Sequence, residues 1–303
     1  MARSRPRVAL RRRPKTAWAP VPQAPLPEGR IVLVPDRGEM LVRDSGGSGP
    51  PVLLLHGWTV AADLNWAQMY GPVADAGFRV LATDHRGHGR GPRPDAPFRL
   101  QDCADDAAEL VRTLGVGPVI AVGYSMGGPI AQLMARDHRD VVRGLVLCAT
   151  AAAWDELGMK LVWRSMALLR LYLQVFPRHA WRWGLRFYGM PDSQATSWTA
   201  AELTRGEGRD LAEAGRELGR YDARSWLPAL GGLPAASVVT TRDGGVPPRK
   251  QYELARLLDA PTFATPVDHL GVSLQHEKFR PALLDALASV ASRLEPARAE
   301  QAA

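Results

Sequence analysis

Cysteine is nearly absent from this chain. Its 303 residues include two, Cys103 and Cys148, in neither a metal-ligand nor a redox spacing. A disulfide framework therefore cannot be what holds the fold together, and both thiols are expected to be buried and free, as in a reducing compartment. Long apolar runs are also missing. A membrane-spanning helix needs roughly 18 or more apolar residues in succession. The nearest approach, Met159 to Phe176, is broken by Lys160, Arg164 and Arg170, so no transmembrane helix is expected. Beyond the first 30 residues there is no excess of either charge. The formal net charge is +7, yet residues 1–30 hold eight of the 38 Lys/Arg and only one of the 31 acids, Glu28. The remainder is balanced, which argues against a nucleic-acid-binding surface.

The basic character thus belongs to a Pro-rich leader, with Arg11, Arg12, Arg13, Pro14 and Lys15 followed by Pro20, Pro22, Pro25 and Pro27. Residues 1–30 are expected to be a disordered tail or an over-extended translation start; weak contact with an anionic surface is the alternative role. Arg12-Arg13 hints at twin-arginine export, but no apolar h-region follows. No cleavable signal is read, and a cytoplasmic location is expected, with peripheral membrane association as the variant. Residues 296–303 are expected to be a disordered tail.

What the chain does contain is an alternation of short apolar runs with amphipathic helical stretches, the pattern of a mainly parallel sheet covered by helices on both faces. Ile31–Pro35 and Met40–Asp44 read as an opening antiparallel pair. Strands are expected at Val52–Leu55, Arg79–Thr83, Val119–Val122, Val142–Cys148, Ala236–Thr241 and Thr262–Val267. Helices are expected at Ala61–Ala76, Leu100–Leu114, Pro129–Arg136, Arg249–Leu258 and Glu277–Arg293. Between Ala149 and about Pro234 no strand-like run occurs. That interval carries six of the nine tryptophans, namely Trp154, Trp163, Trp181, Trp183, Trp198 and Trp226. The expected organisation is an α/β core of residues 31–150 and 233–295, interrupted by a helical, lid-like insert of residues 151–232.

The sharpest signal is Gly123-Tyr124-Ser125-Met126-Gly127, which follows the apolar strand Val119–Val122 and opens a helix. A serine on so tight a strand-to-helix turn is exposed in a strained conformation, and small residues two places to either side let the crossing chains pass. Ser125 is the candidate nucleophile. The Met126 amide lies at a helix start, where unpaired N–H groups can hold a developing oxyanion. In a chain with 29 glycines such a pentapeptide also arises by chance, so the flanking strand, the helix and the partners carry the argument.

Partners for a serine hydroxyl are an imidazole to take its proton and a carboxylate to fix the imidazole's tautomer. They are expected from loops at the carboxyl ends of strands. Asp243 follows the strand ending at Thr241, and His269 follows the strand ending near Val267. Asp268 is the competing acid, though its side chain is expected to point elsewhere; His276 is the competing base, at or inside the start of the last helix. The second oxyanion donor is assigned to the Trp58 backbone N–H in His56-Gly57-Trp58, with His56 a structural residue. Asp84, His85 and His88 lack a credible ligand set, so no metal or cofactor is expected.

The His-Gly loop, Asp84-His85-Arg86-Gly87-His88-Gly89, the Gly-Tyr-Ser-Met-Gly-Gly elbow, the late Asp and the final His occur in one order, and together they resemble the α/β-hydrolase fold superfamily. The resemblance spans about residues 31 to 294 and is greatest to helical-capped, lipase-like serine hydrolases. It implies a mostly parallel eight-stranded sheet, a helical cap, the triad Ser125, Asp243 and His269, and oxyanion amides from Trp58 and Met126. Two departures stand out: Asp268 where the family often has glycine before its histidine, and Arg90-Gly91 where a serine often follows the Asp-x-Arg-Gly-x-Gly run. Serine at the elbow speaks against the haloalkane dehalogenase and epoxide hydrolase branches, which carry aspartate there. The expected activity is hydrolysis of a carboxylic ester of an apolar small molecule or lipid. Acyl transfer, carbon–carbon bond hydrolysis with the same triad, and non-catalytic ligand binding are the alternatives.

Overall fold

The computed structural model describes residues 21–175, 181, 184–186, 190 and 193–294. The expectations for residues 1–20, for the tail and for Trp183 lie outside them. Eight strands form one sheet: β1 (Gly29–Val34), β2 (Gly38–Asp44), β3 (Pro51–Leu55), β4 (Arg79–Thr83), β5 (Val119–Tyr124), β6 (Val142–Cys148), β7 (Ala235–Thr240) and β8 (Thr262–Thr265). Their spatial order is β1-β2-β4-β3-β5-β6-β7-β8. The β1/β2 and β2/β4 pairs are antiparallel and every other pair is parallel.

The central strands read as continuous apolar runs because both faces of the sheet are covered. Side chains alternate between faces along each strand, so Val52 and Leu54 join one core while Leu53 and Leu55 join the other. The first core is closed by α1 (Ala62–Asp75), through Trp66, Met69, Tyr70 and Val73, and by the last helix, α10 (His276–Ser292), through Phe279, Leu283, Leu287 and Val290. The second is closed by α2 (Leu100–Leu114) and α3 (Gly127–Asp137), through Cys103, Val111, Ile130 and Met134. Cys103 and Cys148 are both buried and free, and burial pushes both thiols up, far from the thiolate form.

Between β6 and β7 lie α4 (Leu157–Arg164), α5 (Met166–Val175), α6 (Gln194–Leu203), α7 (Gly208–Arg220) and a 3₁₀ turn at Leu227–Leu230. Trp154, Trp163 and Trp198 are buried there. The two ends of this insert are stitched together by an isolated bridge between Ala153 and Asp222 and by Ala223 N–H donating to the Ala152 carbonyl at 2.8 Å. A single bridge in an alanine-rich stretch leaves no alternating pattern to read in sequence. The chain then continues through α8 (Pro248–Leu257) and a short α9 (Gly271–Leu274).

Two sequence expectations need correction. The leader does not extend to residue 30: β1 begins at Gly29, the Gln23 side chain donates to Thr199 Oγ1, and Arg43 donates to the Pro27 carbonyl at 3.1 Å. Leu26 packs against two of the apolar clusters, an anchor that prolines on either side obscured. Strand β8 stops at Thr265 instead of Val267: the Val267 N–H, next in line to pair with β7, turns back to the Thr265 carbonyl at 2.9 Å.

Candidate active site

Ser125 lies at the end of β5 with φ of 53°, a left-handed conformation that a serine adopts only under constraint. The constraint is visible on all sides. Its N–H donates to the Cys148 carbonyl at 3.0 Å, and its own carbonyl accepts from the Gly128 N–H at 2.9 Å and from Thr150 Oγ1 at 2.8 Å. Glycine is required on either side: a Cβ on Gly123 would fall 2.3 Å from the Gly127 carbonyl oxygen, and one on Gly127 would fall 2.2 Å from that of Leu55. The two glycines are therefore what lets the start of α3 pass directly over β5 and beside β3.

The three expected side chains, each from a different strand end, converge. Ser125 Oγ is 3.0 Å from His269 Nε2, and His269 Nδ1 is 2.8 Å from Asp243 Oδ2. Both contacts are within hydrogen-bond reach for a nucleophile, base and orienting acid. The Asp243 carboxylate is fully enclosed, whereas the His269 side chain is 29 % exposed. A buried carboxylate persists only when its lone pairs are occupied. Here Oδ1 accepts from the Gly245 and Val246 N–H groups at 2.8 and 2.7 Å, and Oδ2 accepts from Thr240 Oγ1 at 2.7 Å and Gln251 Nε2 at 3.3 Å. With its oxygens occupied in this way, Oδ2 meets His269 Nδ1 as an acceptor, which leaves Nε2 free to accept from Ser125. Tyr124 donates its hydroxyl proton to the His269 carbonyl at 2.8 Å and fixes the loop from below; burial raises the Tyr124 phenol well above its ordinary value.

The competing groups are engaged elsewhere. Asp268 accepts from the Leu270 N–H at 2.8 Å and from Gln275 Nε2 at 2.9 Å, and His276 begins α10 beside Arg280. The family-atypical Asp268 thus folds the loop that carries the histidine.

Gly57 lies against the serine: a Cβ there would be 3.4 Å from Ser125 Cβ. Its N–H donates to Asn65 Oδ1 at 2.9 Å. The N–H groups of Trp58 and Met126 donate to no acceptor among the described residues, and Met126 caps the start of α3. Unused amides directly after Ser125 and after Gly57 are donors of the kind an oxyanion requires.

His56, His85 and His88 form a buried layer beneath this loop. His56 Nδ1 donates to the Gly57 carbonyl at 2.8 Å and Nε2 accepts from the His85 N–H at 2.9 Å. Burial depresses His56 to about 4 and His88 to about 3, so both are neutral spacers near neutral pH. Among the described residues no group of His, Cys, Asp or Glu could hold a metal ion. Asp84 accepts from the Ala62 and Arg90 N–H groups at 2.6 and 2.7 Å, and burial raises it above the usual carboxylate range.

Arg90, the second departure, reaches across to the insert: its two terminal nitrogens lie 2.9 and 2.7 Å from the Glu202 carboxylate on α6. Trp58 Nε1 likewise donates to the Leu211 carbonyl of α7 at 2.7 Å, and the Trp58 ring meets Trp163 edge-on with centroids 5.6 Å apart. Sequence reasoning missed Thr240, Gln251, Tyr124, Asn65 and the Arg90–Glu202 pair. Thr240 and Tyr124 adjoin the motifs, but nothing in the sequence points to Gln251, Asn65 or Glu202.

Fold and site define a class: a largely parallel sheet with a serine–histidine–aspartate relay at its carboxyl edge, overlaid by helices inserted after β6. The family described as alpha/beta hydrolase fold matches residues 50–268. The chain belongs to that family. It is 37% identical over 118 residues to a non-heme haloperoxidase of Rhodococcus erythropolis, spanning 39% of this chain and 42% of that one. It is 38% identical over 100 residues to 2-(acetamidomethylene)succinate hydrolase of Mesorhizobium japonicum, spanning 33% and 35%. These alignments cover under half of the curated relatives. Among solved structures, a thermophilic esterase from Thermogutta terrifontis superposes with a TM-score of 0.68 at 25% identity, over 87% of this chain and 99% of the other. The relatives are named as enzymes. Among the described residues no helix is long and apolar enough to cross a membrane.

Proposed function

We propose that this protein is a serine hydrolase that cleaves a carboxylic ester of an apolar small molecule or lipid through an acyl-enzyme. The observation carrying this reading is the continuous relay of 3.0 and 2.8 Å from Ser125 through His269 to Asp243. His269 Nε2 takes the Ser125 proton as Oγ attacks the ester carbonyl carbon. The carbonyl oxygen becomes an oxyanion held by the Trp58 and Met126 amides. Collapse expels the alcohol, which receives the proton from His269, and Ser125 retains the acyl group. Water then gives its proton to His269, attacks the acyl carbon, and the acid leaves as Ser125 regains its hydrogen. Every proton in this scheme passes through His269, so the scheme calls for no cofactor.

The apolar substrate class is supported by the walls near Trp58, where Trp163 and Met166 of the insert are buried against it and Gly215 leaves room for both Met166 and the Trp58 ring. A fluorophosphonate probe is expected to label Ser125, and Ser125→Ala is expected to abolish labelling and turnover of p-nitrophenyl esters graded by acyl length. Undiminished labelling or turnover in the alanine variant overturns the proposal.

A further inference from the structure

The outward face of α4 and α5 is apolar where a solvated helix should be polar. Leu161, Leu168 and Leu171 are 71%, 72% and 59% exposed, with Val162 also open. They recur at helical spacing across the bend at Ser165, opposite the buried Trp163 and Met166. Scattered exposed leucines need no explanation, but a contiguous stripe marks a surface that meets something.

Charge says what. Lys160 and Arg164, both exposed, flank the stripe, and neither has an ion-pair partner among the described residues. No acid stands between Glu156 and Asp192, whereas Lys160, Arg164, Arg170, Arg178, Arg182 and Arg186 do. Beyond this interval and the leader, acids and bases mix freely. Exposed leucines bordered by Lys160 and Arg164 form the face of a helix lying in the plane of an anionic lipid surface: the side chains enter the acyl boundary and the ammonium and guanidinium groups meet the phosphates.

We infer that the outer face of α4 and α5 docks on anionic lipid bilayers. The inner side of the same helices faces Trp58 through Trp163, so one helix diameter, about 10 Å, separates the lipid-facing stripe from the site. The docking is independent of the hydrolase reading and is measured without turnover.

The test is co-sedimentation of the full chain with vesicles of phosphatidylcholine alone or mixed with phosphatidylserine. Binding is expected to the mixed vesicles, weakened at high salt. It should fall by about tenfold or more both in Leu161→Ser/Leu168→Ser/Leu171→Ser and in Lys160→Glu/Arg164→Glu, with circular dichroism and thermal unfolding near wild type. The charge pair involves exposed residues only and guards against misfolding of the leucine variant. Failure to bind mixed vesicles overturns the inference. So does binding unchanged in the charge variant, which assigns it to the basic leader, or a wild-type dimer that the leucine variant renders monomeric, which assigns the stripe to a second copy of the chain.

Discussion

Arg90→Met tests whether the loop after β4 and the helical insert are energetically one unit. In the native protein the Glu202 side chain is 3 % exposed and is bonded by both terminal nitrogens of Arg90, with a lesser contact from Arg205 Nε at 3.2 Å. Removing one partner of a buried ion pair costs about 3–5 kcal/mol, because the other charge is left in a poorly solvated place. Arg205 remains, and Arg90 is itself 28 % exposed, so the expected loss is nearer 2–3 kcal/mol, or roughly 30- to 150-fold in the folding equilibrium. Glu202→Leu should cost less, about 1–2 kcal/mol, since Arg90 keeps Asp63 at 3.7 Å and Asp84 at 4.0 Å. The double variant should come close to the milder single one, giving a coupling of about 2–3 kcal/mol. Urea unfolding of all four proteins measures each difference. If Arg90→Met lies within about 0.5 kcal/mol of wild type, or the two changes simply add, the claim that this pair couples insert to core is wrong.

Two further outcomes follow from the site. Asp243→Asn presents an amide to His269 Nδ1 where Oδ2 also receives Thr240 and Gln251; the imidazole is expected to adopt the wrong tautomer, and kcat on p-nitrophenyl esters should fall by about 10⁴-fold with the fold intact. A loss under about tenfold would show that Asp243 does not orient the base. Stability should also depend on pH through the buried histidines. His56 and His88 are depressed to about 4 and about 3 by burial, while an unfolded histidine titrates near 6.5. The unfolded chain thus takes up protons first, so their contribution is complete above about pH 6.5 and is lost as pH falls toward about 4, by an amount of order a few kcal/mol. Urea midpoints at about pH 7.5 and about pH 5 should differ accordingly, and His88→Leu should flatten the slope; equal slopes in the two proteins would refute this account.

Much of the fold was legible because its determinants are local. Apolar runs of β-branched residues and leucine announce strands buried on both faces, and the spacing of Cys103, Ala107, Leu110 and Val111 announces an amphipathic helix. The elbow was legible for the same reason: Gly123, Ser125 and Gly127 encode a turn that few other residues permit. Asp243 and His269 could be assigned because strand ends in a parallel sheet share an edge. Less legible were the limits of elements, where a turn back of Val267 onto Thr265 ended β8 early and Leu26 tied down a segment that its prolines suggested was loose.

By itself, then, the sequence determined the layered α/β architecture, the strained serine and the two strand-end partners, since each follows from periodicity or from the backbone freedom of a few residues. Tertiary structure decided what depends on how separate elements pack: Gln251 of α8 against the Asp243 carboxylate, Asn65 of α1 holding the Gly57 loop, Glu202 of α6 taking Arg90, and an apolar stripe left on the outside of α4 and α5. A hydrogen bond between side chains on different elements leaves no periodic trace, because its geometry is set by how whole elements pack and not by the local preference of either partner.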